Sequence, residues 1–417
     1  MNYFDLNTNL ADDDIALREA ARQFAEQEMR PAARQLDLMS ANAAVAEDSP
    51  LWPFLEKAYS LGYHKILLPE YYGGLGLSAL QTNLVFEELA RGSFGLALLT
   101  TVVSFPFYLI CITNDEQLIE QFVVPFCNCT DGSIRGCWGI TEPGHGSDHV
   151  NMGEDIFFSP KLKGDVRAKR DGDHYVINGQ KSAWVSAGTI ATHTMLHVQI
   201  DPSKGFAGNG ICIVPLDLSG VSRGSALEKI GQRDLNQGEI FFDDVRIPAE
   251  WMFVDPDFYV PMVEMILNAA NLSMANWSVG LSRAAFEEAF TYSQERVQGG
   301  RPVIEHFTTK QRLFKMFSRV EAARAYVRAA MELNLNISPP NVEYSLAAKT
   351  LGTRWAFDNA HEAVQLLGGN GLTREYLTEK LFRDARSTLI EDGNNEMLQQ
   401  HGGHVLSETY PRAPLDF

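Results

Sequence analysis

Positive charge is in short supply in this chain. Lysine and arginine number 35 against 53 aspartates and glutamates, a formal net charge of −18. So acidic a surface repels a nucleic-acid backbone and an anionic membrane face, which excludes both as partners. Cysteine is scarce as well, five in 417 residues. The number is odd, and the acidic start MNYFDLNTNLADDD has no signal or transit character, so reduced thiols in a cytoplasmic protein are expected. Cys127 and Cys129 form a C-x-C pair with no second histidine or cysteine pair nearby, and no metal site is expected there. No uninterrupted apolar run is long enough to span a bilayer. Internal repeats and low-complexity tracts are absent too.

What the chain does have is apolar residues, 45% of the total, ample for a large core and more than one folding unit. Helical spacing dominates at first. Asp12 to Met29 opens on acidic residues and repeats polar and apolar positions, Leu51 to Leu61 follows, and Leu80 to Ala90 is a third helix. The apolar segment Phe94 to Ile112, with Phe105 and Tyr108, reads either as cavity lining or as plain core. From about residue 133 short alternating runs take over. An Asp-Gly turn at 171–172 and an Asn-Gly turn at 178–179 signal hairpins, and Thr194–Ile200, Gly210–Pro215 and Gly238–Val245 read as strands. Past Pro248 the helical period returns in Met262–Phe290, Thr309–Leu333 and Val342–Leu367. The expected class is α+β, mainly α: a helical domain at 1–132, a small β domain at 133–250, and a four-helix-bundle-like domain at 251–417.

Two stretches carry chemistry. In 361–398 a helix stops at Gly368-Gly369-Asn370-Gly371, a second runs from Tyr376 to Leu389, and two carboxylates, Glu391 and Asp392, sit on the turn after it. The turn is either a solvated helical hairpin or the seat of a general base held at the end of a rigid element. The stretch CWGITEPGHGSD, residues 137–148, crowds glycine, serine and threonine into one loop. Such a loop is either a tight connection or a cradle of N–H and hydroxyl donors for a flavin edge and a phosphate.

QLLGGNGL, EKLFRDAR and IEDGNNEML resemble the C-terminal signature of the acyl-CoA dehydrogenase flavoproteins, Q-x-x-G-G-x-G, then R-D-A, then I-Y-E-G-T-N-E-I-L. TEPGHGSD is similar to that family's T-E-P-G-x-G-S-D, and NGQKSAWVS to N-G-x-K-x-W-I-T with one residue more before the tryptophan. RVQGGRPVIEHF resembles R-x-x-F-G-x-x-I-x-x-x-Q, with Gly299 where the aromatic stands and Phe307 where the glutamine does. The resemblance covers nearly the whole chain. It implies a homo-oligomer, a tetramer built as a dimer of dimers, binding FAD through Trp138, Ile140, Thr141, Ser147, Trp184, Ser186, Asn394 and Glu396. Arg296, Gln365, Gly368 and Gly369 would reach the pyrophosphate and adenine of a neighbouring subunit's FAD. Substrate contacts fall on Ser147, Phe105, Tyr108, Asn271 and Gly393.

The implied reaction is oxidation of an acyl-CoA thioester, by α-proton abstraction and β-hydride transfer to the flavin, with electrons passed to an electron-transfer flavoprotein. The family's glutamate base falls on Asp392 and its preceding tyrosine on Glu391. Asp392 is the expected base, with Glu391 as the alternative. The position used for the base by some relatives is Ala270, and the arginine beside it is Asn271, so a cyclic or otherwise unusual acyl group is expected. Nitroalkane oxidation, acyl-CoA desulfination and catalytic silence are the alternatives. Gln399 speaks against the first of these, since an arginine is expected there.

Overall fold

The computed structural model of this chain describes residues 5–6 and 9–410. The acidic start read above lies in part outside them, at residues 1–4 and 7–8. The first unit comprises α1 (Asp12–Phe24), α2 (Arg30–Leu38), α3 (Leu51–Ser60), α4 (Ala79–Gly92), α5 (Phe94–Val102), α6 (Phe105–Thr113), α7 (Glu116–Leu118) and α8 (Val124–Asn128). The helix expected to stop at Met29 runs on to Leu38 through a π turn, Ala25–Met29. That wider turn falls where Pro31 has no N–H to offer the preceding turn. α4 begins on a reciprocal capping box: Ser78 Oγ accepts from the Gln81 N–H at 3.2 Å, and the Gln81 side chain accepts from the Ser78 N–H at 3.1 Å. The apolar segment read as one run is two helices, α5 and α6, bent by 42°. By composition this bent pair passes as a membrane span, but its side chains are almost all buried inside the protein. No single helix among the described residues is long and apolar enough to cross a membrane.

The middle unit is an eight-stranded sheet in the order β6-β7-β3-β2-β4-β5-β8, with β1 beside β4. Its strands are β1 (Gly136–Gly139), β2 (Arg167–Asp171), β3 (His174–Lys181), β4 (His193–Gln199), β5 (Asn209–Pro215), β6 (Val221–Arg223), β7 (Ile240–Pro248) and β8 (Met252–Val254). β4 and β5 are buried almost throughout, as strands covered on both faces are. Asp171 pairs with His174 across the expected Asp-Gly turn. The Asn-Gly turn does not form. Asn178 and Gly179 lie inside β3, where the register against β7 slips between Ile177 and Gly179. The dipeptide serves a bulge: Gly179 takes φ +135°, and a Cβ there would stand 2.7 Å from Val166 Cα. Asn178 meanwhile exchanges two 2.9 Å hydrogen bonds with Asp244 across the sheet.

The third unit holds α9 (Tyr259–Glu295), a short ribbon of β9 (Val297–Gln298) and β10 (Arg301–Pro302), then α10 (Phe307–Asn334), α11 (Val342–Leu367), α12 (Thr378–Thr388) and α13 (Asn395–Thr409). α9 is the axis. Its middle is buried on every side, and Gly280 lets α4 approach so closely that a Cβ would come within 2.3 Å of the Glu87 carbonyl. Across that contact Glu87 of α4 takes Arg324 of α10 at 2.8 Å and Arg283 of α9 at 3.1 Å. Burial alone would raise the Glu87 carboxyl; the two guanidiniums prevail and hold it at about 2. The N- and C-terminal helical units are thus locked together by one buried charge cluster, and a single apolar core runs from Ala21 to Ala385 through all three units.

Candidate active site

α12 delivers the acidic turn. Its end bends back through Ile390 N–H and Glu391 N–H, both donating to the Ser387 carbonyl at 2.9 and 3.2 Å. Two left-handed residues follow, Asp392 at φ +52° and Gly393 at φ +92°. At Gly393 a Cβ would lie 2.8 Å from Leu398 Cδ2, so glycine is required twice over. Aspartate tolerates the left-handed region better than most residues but still at a cost, and such positions persist where surrounding contacts fix them. Here those contacts come from two sides. Asn394 N–H donates to Ser147 Oγ at 3.1 Å, and Lys349 of α11 donates to the Gly393 carbonyl at 2.7 Å. Asn394 then caps α13 through its own side chain, which accepts from the Met397 N–H at 3.0 Å.

The turn opens on a cavity of about 650 Å³ where the three units meet. Leu98, Val102, Phe105 and Trp277 form an apolar wall; Trp138, Ile140, Thr141 and Ser147 come from β1 and the loop after it. Trp184 and Ser186 follow β3, and Glu391, Asp392 and Gly393 complete the rim. Thr141 and Ser182 hydroxyls are paired at 2.7 Å. The Trp138 indole N–H donates to His197 Nε2 at 2.9 Å, so the Nδ1–H of His197 donates to Tyr259 Oη at 2.9 Å. Burial holds that imidazole neutral, as this relay requires.

Ten predicted residues therefore meet in one place: Phe105, Trp138, Ile140, Thr141, Ser147, Trp184, Ser186, Glu391, Asp392 and Gly393. Others do not reach it. Asn271 is fully buried within α9, its amide donating to the Leu267 carbonyl at 2.8 Å, and it is not among the lining residues. Tyr108, on α6, packs against the core rather than on the cavity. Asn394 spends its side chain on the helix cap, and Glu396 points outward from the first turn of α13. Arg296, Gln365, Gly368 and Gly369 are exposed, at the ends of α9 and α11. Those two ends are joined by Asn370 Nδ2 donating to Tyr292 Oη at 3.1 Å.

The segment before β7 went unread in the sequence. Glu228, Lys229, Gln232 and Gln237 all line the cavity. Gln232 Nε2 donates to Glu391 at 3.0 Å, while Lys229 Nζ holds the Leu235 carbonyl at 2.8 Å and Gln237 Oε1 at 2.7 Å. Gln237 passes the link on to Ser186 Oγ at 3.2 Å. The R-D-A residues of α12 seat this segment. Asp384 accepts from the Gln232 N–H at 2.5 Å, and a Cβ on Gly231 would be 2.2 Å from the Arg383 carbonyl. Its one signal in the sequence is KIGQRDLNQG, a polar run broken by glycines ahead of a strand.

Electrostatics single out the carboxylates. Burial pushes Asp392 up to about 6, with the Lys349 ammonium pulling the other way. Glu391 is pushed up to about 7 by burial, against the Gln232 hydrogen bond. The two titrate together rather than singly. Lys349 and Lys229 are each brought down by burial to about 8, the carboxylates resisting. Elsewhere, ligand atoms of Glu142, His145 and Asp165 approach within 4.8 Å of one another. Glu142, however, already spends both oxygens, one on the buried Lys181 ammonium at 2.7 Å and the other on the Asp165 N–H at 2.5 Å.

A helical unit, a sheet and a helical unit close around one cavity with two carboxylates on its rim, a three-domain α–β–α class of protein. The chain belongs to the acyl-CoA dehydrogenase family: residues 11–128, 137–245 and 260–406 match its N-terminal, middle and C-terminal domains respectively. It is 29% identical over 395 residues to the mitochondrial short-chain specific acyl-CoA dehydrogenase of Rattus norvegicus, covering 94% of this chain and 89% of that one. It is 29% identical over 398 residues to the cyclohex-1-ene-1-carbonyl-CoA dehydrogenase of Geobacter metallireducens, covering 95% and 99%. The butyryl-CoA dehydrogenase of Megasphaera elsdenii superposes with a TM-score of 0.84 at 27% identity, over 98% of this chain and 100% of that structure.

Proposed function

We propose that this chain oxidises an acyl-CoA thioester to its α,β-enoyl form with FAD, and that Asp392 is the base. The observation that carries the assignment is the contrast between two adjacent carboxylates on the cavity rim. Glu391 is tied to Gln232; Asp392 has no hydrogen-bond partner among the described residues and is held in a strained conformation facing the same space. A base must be free to accept a proton and must titrate near the working pH. Asp392 meets both demands, since burial lifts it to about 6.

The residues present fit FAD. Trp184 leaves 60% of its surface exposed at the cavity, an open indole face, and Thr141, Ser182 and Ser186 bring hydroxyls to the same rim. A Cβ at Gly146, Gly368 or Gly369 would meet nothing within 4 Å, which leaves room for a close ligand. FAD, when bound, supplies the acceptor for the β-hydride. Trp138, pinned by His197, and Ile140 would form the wall against which the ring is set, and Ser186 would hydrogen-bond its edge. Leu98, Val102, Phe105 and Trp277 would exclude water from the acyl group, which keeps a carboxylate basic.

Arg296, Gln365, Gly368 and Gly369, exposed at adjoining helix ends, would hold the pyrophosphate of a second copy's FAD; a guanidinium suits that anion. The working form is then an oligomer, a tetramer by the family resemblance, passing electrons to an electron-transfer flavoprotein in the cytoplasm. An aspartate, one methylene shorter than the family's glutamate, together with aromatic walls and a relative named for a cyclohexene acyl group, supports a compact cyclic acyl substrate. The test is anaerobic titration of the yellow protein with acyl-CoA thioesters, where bleaching of the flavin marks the substrate. Peroxide released from a nitroalkane would instead mark an oxidase.

A further inference from the structure

The turn that carries Asp392 is gripped from behind by a buried lysine. Lys349 lies in the first half of α11 with none of its surface exposed. Its Nζ donates to the Gly393 carbonyl at 2.7 Å and to Asn395 Oδ1 at 2.8 Å. Asn395 Nδ2 donates back to Thr353 Oγ1 on the next turn of α11 at 3.0 Å, which closes the clasp. Both acceptors of the lysine are neutral, and a neutral amide could serve them. Burying an ammonium costs several kcal/mol unless an opposite charge answers it. The answering charges are on the turn itself, Asp392 first and then Glu391. Asn271, buried on α9, brings no charge to this place.

Most of the other charged groups on the cavity are otherwise engaged. Lys229, on the segment before β7, is bonded to Leu235 and Gln237. Glu142 is paired with Lys181, and His145 with Asp148 at 2.7 Å. Glu228 and Arg386 stand on the segment before β7 and on α12. The Lys349 ammonium favours the ionised Asp392 carboxyl, and the adjacent Glu391, which titrates with it, opposes that charge.

We propose that Lys349 is a positioning residue for the base: through Gly393 and Asn395 it fixes the turn that aims Asp392 into the cavity, and its charge keeps that carboxylate ionised. The catalytic half of this statement rests on the dehydrogenase reading given above; the lysine–carboxylate coupling does not.

Two variants separate the roles. Lys349→Gln keeps a donor and removes the charge, and Lys349→Met removes both. In the FAD-loaded protein, the carboxylic C=O infrared band that disappears in Asp392→Asn is followed as a function of pH. Its midpoint is expected to rise by about one to two units in both variants, and the acid limb of thioester-driven flavin reduction is expected to rise with it. At a pH above both limbs, Lys349→Gln should retain more of the rate than Lys349→Met. A midpoint unmoved in both variants overturns the proposal. Should neither variant fold, Asn395→Ala keeps the charge and breaks one anchor: a normal midpoint with a slower reduction at every pH supports the clasp, and an unchanged rate overturns it. A shifted band in a protein that no thioester reduces would uphold the coupling and sink the dehydrogenase reading instead.

Discussion

Replacing Asp392 with asparagine is the sharpest perturbation of this site. Asparagine matches aspartate in size and tolerates the left-handed region, so the turn at φ +52° survives. Only the proton acceptor is lost. A positioned general base contributes about 10²- to 10⁴-fold, which at about 1.36 kcal/mol per decade is about 3–5.5 kcal/mol of barrier. The upper part of that range is expected, because the adjacent carboxylate cannot step in readily: Glu391 is held by Gln232 at 3.0 Å. The assay is anaerobic stopped-flow bleaching of the flavin at saturating thioester. Glu391→Gln, as the control, should keep the rate within about tenfold. With Asp392 lifted to about 6, the wild-type rate should fall as pH drops through about 6, because the protonated acid accepts nothing, and should level off above it. Full reduction in Asp392→Asn together with its abolition in Glu391→Gln would refute the assignment.

Gly231→Ala puts a Cβ 2.2 Å from the Arg383 carbonyl, so the segment before β7 must lift off α12. A loss of about 1–3 kcal/mol is expected, read as a lower Tm and weaker FAD retention. Trp184→Ala, which removes an indole 60% exposed at the cavity, should raise the FAD Kd about 2- to 12-fold, the worth of one aromatic contact, measured by flavin fluorescence. Arg324→Met leaves Glu87 with less countercharge, and losing one partner of a buried pair costs about 3–5 kcal/mol, read as a lower Tm. The pH sign follows from Glu87, held at about 2 by its arginines. That group stabilises the fold above the ordinary carboxylate range and loses its contribution as pH falls through about 2, so acid unfolding of the variant should begin at higher pH. All five cysteines are buried and free; a thiol reagent should find almost none in the native protein and five in denaturant.

Much of the architecture was written in periodicity. The helical runs at 262–290, 309–333 and 342–367 all lie within α9, α10 and α11, because runs of that length without glycine or proline clusters are too long for strands. Turn chemistry was less dependable. Asp171-Gly172 makes its hairpin, whereas Asn178-Gly179 makes a bulge, since a glycine permits either and only the partner strand decides. At the site, residues close together in sequence were legible: 138–147, 184–186 and 391–393 reach the cavity as blocks. Contacts from elsewhere were not. Lys349 reads as an ordinary lysine within a helix, and Gln232 and Lys229 as a polar loop. Their importance arises only where α11 and α12 pack behind the turn. Asn271 shows the converse: adjacency to a family position did not bring it to the cavity, for it is buried within α9 with its amide N–H donating to the Leu267 carbonyl.

The measurement that bears most directly on the central claim is anaerobic titration of the FAD-loaded protein with a graded panel of acyl-CoA thioesters, straight-chain and cyclic, with nitroalkanes as the contrast. The account predicts stoichiometric bleaching by at least one thioester, most completely by a compact cyclic one, and loss of that bleaching in Asp392→Asn. A flavin that stays oxidised with every thioester, or is reduced by a nitroalkane with release of peroxide, would contradict it.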